Sequence, residues 1–146
     1  MAPEIEYEQK FIYYPTDRIL ELYNMAEPPV EETIATGTHN GYDFLILWYR
    51  NHPNAYIRIP EGHPYYEKDY DEIDDKEIVH WGFTFSGRLN KKYDLPDGWH
   101  LGWDYAHTGD FMRFPDGYTM DGRKWTTCEI AADCKKIIDE IIKEAK

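Results

Sequence analysis

One amphipathic stripe near the end of the chain decides most of what it can fold into. In TTCEIAADCKKIIDEII, residues 126–142, Ile130, Cys134, Ile137, Ile138, Ile141 and Ile142 recur at helical spacing, with lysines and acids between them. Thr126 followed by Glu129 fits a capping box, which starts the helix there. A helix that is apolar on one side must bury that side against another layer. The segments before it are rich in strand formers, so the stripe is expected to lie on a sheet.

Those segments read in order. YEQKFIYYP opens the chain as a strand or arm within residues 1–15. TDRILELYNM suggests a short helix, with Thr16 or Asp17 as N-cap. AEPPVEET reads as a connector, because two prolines break a helix. YDFLILWYR is the strongest strand signal of the first half, and AYIRI after NHPN pairs with it as a hairpin. EIVHWGFTFSG reads as a further strand, with Val79, Trp81, Phe83 and Phe85 on one face and His80, Gly82, Thr84 and Ser86 on the other. NKKYDLPDG and PDGYTMDGRK read as loops, and WHLGWDYAH as a strand between them. The expected fold is therefore α+β. A mostly antiparallel sheet carries the long C-terminal helix on one face, with a short N-terminal helix, in a single domain spanning 1–146.

Charge narrows the function. At a net charge of -12 the chain opposes non-specific binding to DNA or to an anionic membrane. No apolar run reaches the roughly 20 residues of a bilayer span, and the polar start MAPEIEYEQK does not read as a signal peptide. Cys128 and Cys134 on one helix would differ in rise by about 9 Å, beyond the roughly 7 Å that a disulfide bridges. Reduced thiols and a cytoplasmic location are expected.

The chemistry-bearing residues offer several readings. EGHPYYEKDYDEIDD, residues 61–75, holds seven carboxylates, but it fails the EF-hand pattern: glycine is missing at position 6 and glutamate at position 12. It reads as an acidic, solvated loop or the lip of a site. His63, His80, His100 and His107 can meet Asp104 or Asp110 at a metal, although neither HExxH nor paired CxxC occurs. In HTGD, His107 and Asp110 can instead bond each other and the turn backbone. Ser86 in TFSGR lacks GxSxG, and Cys128 near a helix start is as readily a small packed residue. Arg58 and Arg88 end or follow strands and suit phosphate, while Tyr65, Tyr66, Trp81, Trp99 and Trp103 nearby suit bases.

Three ordered motifs carry a resemblance. RIPEGHPYYEKDYD, HWGFTFS and WHLGWDYAHTGD resemble the runs R-x-P-x-G-H-P-x-x-x-x-x-Y-D, H-G-G-x-T-[FY]-[SA] and W-x-x-G-F-D-x-A-H-x-G-D of a widespread family of small phage-encoded proteins. Trp81 stands where that pattern has glycine, Trp103 where it has phenylalanine, and Tyr105 where cysteine is frequent. The resemblance implies a viral anti-defence protein of the infected bacterial cell. Such a protein sequesters cyclic oligonucleotide signals, as in CBASS, without cleaving them and without a metal or cofactor.

The residues then take these expected roles. Arg58 and Arg88 hold phosphates, and Tyr65, Tyr66, Trp81 and Trp103 stack or wall the ligand. His63, Thr84, Ser86, His107 and Asp110 supply hydrogen bonds. The expected partners are a cyclic oligonucleotide and further copies of the chain, with neither a nucleic-acid polymer nor a membrane. Two alternatives stay open. One is a metal-assisted hydrolase of nucleotides or phosphoesters using His63, His107 and Asp110. The other is a protein inhibitor of a host defence factor acting through its acidic face.

Overall fold

The computed structural model describes residues 17–74, 79–89 and 97–145. The expected arm over 1–15 and most of the NKKYDLPDG connection lie outside them. Helix α1 (Arg18–Tyr23) is capped by Asp17, whose Oδ1 accepts from the Ile19 N–H at 2.9 Å. Asp17 also accepts from the backbone N–H and the hydroxyl of Thr127 (3.0 and 2.9 Å), so one carboxylate ties two helix starts together.

Strands β1 (Glu31–His39), β2 (Tyr42–Tyr49) and β3 (His52–Ile59) form a meander. Asn40 and Gly41, both at positive φ (49° and 83°), join the first two as a two-residue hairpin turn. The last three residues of the expected connector AEPPVEET are thus strand, since β1 begins at Glu31. Strand β4 (Phe85–Leu89) lies at the far edge. Strand β5 (Gly98–Asp104) sits between β4 and β3, so the antiparallel sheet runs β1-β2-β3-β5-β4. A small hairpin pairs β6 (Met112–Arg113) with β7 (Thr119–Met120), and its second strand falls within the expected PDGYTMDGRK loop. Helix α2 (Thr127–Lys143) closes the chain with the capping box in place: Thr126 Oγ1 accepts from the Glu129 N–H, and Glu129 Oε1 accepts from the Thr126 N–H.

Register decides which side is core. Phe44 opposes Ile57, Ile46 opposes Ala55, Ala55 opposes Trp103, and Ile57 opposes Leu101, so these side chains share one face. They form one buried cluster with Ile130, Ala131, Cys134, Ile137, Ile138 and Ile141 of α2. The architecture is α+β, with the long helix laid on one face of the sheet, as the stripe requires. The helix stripe is as expected except at its margin, where Ile142 is only partly buried. Neither cysteine is in a disulfide, and burial pushes the Cys134 thiol well above its ordinary value. Among the described residues no helix is long and apolar enough to cross a membrane.

The expected strand over 77–87 is corrected. Residues 79–82 form a turn closed by Gly82 N–H donating to the Val79 carbonyl at 2.9 Å. Trp81 and Gly82 take φ of 61° and 82°, which breaks extended chain. Val79 and Phe83 go inward, while Trp81 swings out and is 60% exposed. Contact with β5 begins where the Thr84 N–H donates to the Gly102 carbonyl (2.9 Å), and the strand runs from Phe85 onward.

Candidate functional site

The segment after β5 folds back on itself. Gly109 takes φ of 97°, the His107 N–H donates to Asp110 Oδ2 at 3.0 Å, and the Asp110 N–H returns to the His107 carbonyl at 2.8 Å. Against this turn runs Gly122, close enough that a Cβ there would lie 2.5 Å from the Gly109 carbonyl oxygen. Only glycine allows that approach. It lets the Arg123 N–H reach the Gly109 carbonyl and the Phe111 N–H reach the Arg123 carbonyl. Asp110 is thereby buried to 2% exposure.

Asp110 gathers three donors. Oδ2 also accepts from His80 Nε2 at 2.8 Å, and Oδ1 accepts from Trp125 Nε1 at 2.9 Å. Burial works against the charged carboxylate, but the bonds from His80, the His107 N–H and Trp125 outweigh it and hold the group below its ordinary value. His80 is stacked on Tyr105 (ring centroids 4.8 Å apart, 21° between planes) and meets Trp125 edge-on at 5.2 Å. His107 Nδ1 lies 3.1 Å from Asp104 Oδ1, and Asp104 in turn accepts from the Thr84 hydroxyl at 3.2 Å. Trp81 covers His107 with near-parallel rings at 5.3 Å. Donor atoms of His80, His107 and Asp110 all fall within 4.8 Å of one another. The HWGFT and DYAHTGD motifs thus meet in one half-buried cluster that can hold a cation or pass a proton.

The other expected residues are placed elsewhere. His63 is 6% exposed; its Nδ1 accepts from the Tyr65 N–H (2.9 Å), so Nε2 carries the proton and donates to the Ile141 carbonyl (2.7 Å). That histidine caps the end of α2, and it cannot join His107 and Asp110 as the hydrolase reading expected. Tyr65 and Tyr66 pack against the core as part of the same loop. Six carboxylates of this loop, Glu61, Glu67, Asp69, Asp71, Glu72 and Asp74, are exposed, while Asp75 lies outside the described residues. Ser86 Oγ accepts from the Tyr70 N–H at 3.2 Å and pins the loop to β4.

The two arginines do not converge. Arg58 opposes His100 and Arg88 opposes Trp99; these are successive positions of β5, so the two guanidinium groups leave opposite faces of the sheet. Arg88 donates to Glu67 Oε2 and to the Tyr66 hydroxyl, and Arg58 Nε donates to the Asp97 carbonyl at 3.3 Å. Trp103 is 1% exposed, with Nε1 donating to the Tyr105 hydroxyl, so it is core rather than ligand wall. His100 is wholly buried.

A cavity of about 560 Å³ lies where none of these residues reach. The end of α1, the connector to β1, the end of β2 and the β6–β7 hairpin enclose it. Tyr23, Trp48 and Phe114 give aromatic walls, and Arg50 and Arg113 give positive charge. Trp48 Nε1 is buried without a hydrogen-bond partner among the described residues. Tyr23 separates this cavity from the cluster: its ring meets Trp48 and Phe111 edge-on at 5.3 Å each, and the Asp110 charge adds to the burial that raises its phenol. Arginine flanked by aromatics, as in LWYRN and MRFP, is the signal that points to it in the sequence. No family model, no curated protein and no solved structure matches the chain.

Proposed function

We propose that the protein is a non-enzymatic binder that sequesters a phosphorylated, base-bearing small molecule of the cyclic oligonucleotide class. Its setting would be the cytoplasm of an infected bacterial cell, where it acts as a viral anti-defence protein. The cavity beside Trp48 carries this reading. Its volume falls within the roughly 300–1,000 Å³ of small-molecule sites. Aromatic walls suit bases, and guanidinium groups suit phosphates. The three-motif resemblance adds the ligand class. The phosphate role passes from Arg58 and Arg88 to Arg50 and Arg113, because only the latter pair line one cavity.

Calorimetry against a panel of cyclic di- and trinucleotides tests it. Binding is expected to weaken about tenfold or more in Arg50→Ala and in Arg113→Ala, with Arg58→Ala and Arg88→Ala unchanged. Ligand recovered after heat denaturation is expected intact. Absence of binding across the panel would overturn the reading, and recovery of cleaved ligand would replace sequestration with hydrolysis.

A further inference from the structure

The cluster beyond Tyr23 has a composition that the cavity reading leaves unused. We propose that His80, His107 and Asp110 form a site for a divalent transition metal of the zinc class. The three protein ligands would leave the remaining coordination positions to water or to an incoming ligand.

The donor set selects the ion. Two imidazoles and one carboxylate suit Zn²⁺ or Co²⁺, whereas Ca²⁺ and Mg²⁺ require oxygen ligands throughout. Metal–donor bonds of about 2.0–2.1 Å in a tetrahedron separate the donors by about 3.3 Å. The present donor atoms lie within 4.8 Å of one another, and one pair is already at 2.8 Å. Small side-chain rotations therefore complete the site, with the His80 proton carried on Nδ1 once the metal takes its place on Nε2.

Supporting contacts are in place around each ligand. Asp110 is held from behind by the Trp125 indole N–H and the His107 backbone N–H. His107 Nδ1 lies 3.1 Å from Asp104 Oδ1 without making a hydrogen bond, so a small turn of the ring would form the carboxylate–histidine pair that aims the other ring nitrogen at a metal. Asp104 is itself fixed by the Thr84 hydroxyl. His80 is clamped between Tyr105 and Trp125. Trp81, held in the left-handed region, covers the outer side of His107. Both histidines are only half-buried, which leaves an entry path.

All six histidines of the chain lie within the described residues, so the full-length protein tests itself without mutation. After chelator treatment, Zn²⁺ titration followed by nitrogen-15 spectra of the imidazoles is expected to move the His80 and His107 rings at one equivalent. His39, His52, His63 and His100 are expected to stay. Calorimetry is expected to give a dissociation constant of about 1 μM or below. His107→Gln and His80→Ala are each expected to weaken it at least about a hundredfold, with His52→Ala unchanged. Movement of other rings instead, or affinity that survives both substitutions, would overturn the assignment. Absence of any zinc-dependent change in the wild-type rings would do the same, whatever the cavity binds.

Discussion

His63 and His80 each sit in a turn beside aromatic residues, and the fold uses them in opposite ways. His63 spends both ring nitrogens on backbone, one on Tyr65 and one on Ile141. Both of its hydrogen-bond partners are backbone groups, so it has one job, fastening the acidic loop to the end of α2. His80 turns a ring nitrogen to a buried carboxylate that other side chains also address. The difference lies in the partners. A backbone carbonyl makes a histidine a peg, whereas a buried carboxylate that also takes the Trp125 indole and the His107 backbone N–H makes it part of a cluster.

Removing the hub of each arrangement tests that contrast most strongly. Asp110→Ala strands three donors at once, those of His80, His107 and Trp125, and is expected to cost about 4 kcal/mol. His63→Ala leaves one backbone N–H and one helix-end carbonyl without partners and is expected to cost about 2 kcal/mol. Urea unfolding at neutral pH reads both. Equal costs would mean that the cluster is no more coupled than the peg. A metal affinity lowered by His63→Ala would mean that the two regions are not separate.

The pH profile separates them next. Burial holds His100 below its ordinary value of 6.5. As pH falls through 6.5, the unfolded chain takes up a proton that the folded chain does not, so stability declines. Asp110 titrates below its ordinary 3.8, so its contribution is present above that pH and is lost only as acid carries the pH through the lower folded value. Unfolding free energies from urea titrations between pH 8 and pH 3 are expected to show two declines, the upper with a limiting slope of about 1.4 kcal/mol per pH unit for one proton and the lower steeper, because Glu32 and Glu129 are also held below their ordinary values. His100→Asn should erase the upper one and leave the lower. A profile that is flat down to pH 5 would contradict the burial of a neutral His100.

Much of the scaffold was legible because it follows local rules. The α2 stripe, its Thr126–Glu129 box, the Asp17 cap and the β2–β3 pair all need only neighbours a few residues away. Strand β1 escaped because EETIATGTH lacks a strong apolar alternation, although Asn40-Gly41 after it is a strong hairpin signal. The 79–82 turn escaped because alternation of Val79, Trp81 and Phe83 mimics a strand, and Gly82 was the warning. The separation of Arg58 from Arg88 needed the order β3-β5-β4, which no local pattern contains. The cavity needed three segments distant in sequence. His107 with Asp110 was readable from HTGD, whereas their union with His80 depends on the Gly122 approach that buries Asp110.

Trp81 supplies the smallest and sharpest test. It occupies a left-handed conformation, φ 61°. That backbone state costs a residue with a Cβ about 1–2 kcal/mol, and glycine avoids it. What the tryptophan gains is a stacked ring over His107, worth about 0.5–1.5 kcal/mol for such pairs. Trp81→Gly is therefore expected to shift folding stability by less than about 1 kcal/mol, because the relief of strain and the lost stack nearly cancel. The exchange should still free the His107 ring, so faster ring reorientation by NMR relaxation is expected at His107 and not at His63. A large loss of stability would show the indole to be a structural prop. An unchanged His107 ring would show that Asp104 alone orients it.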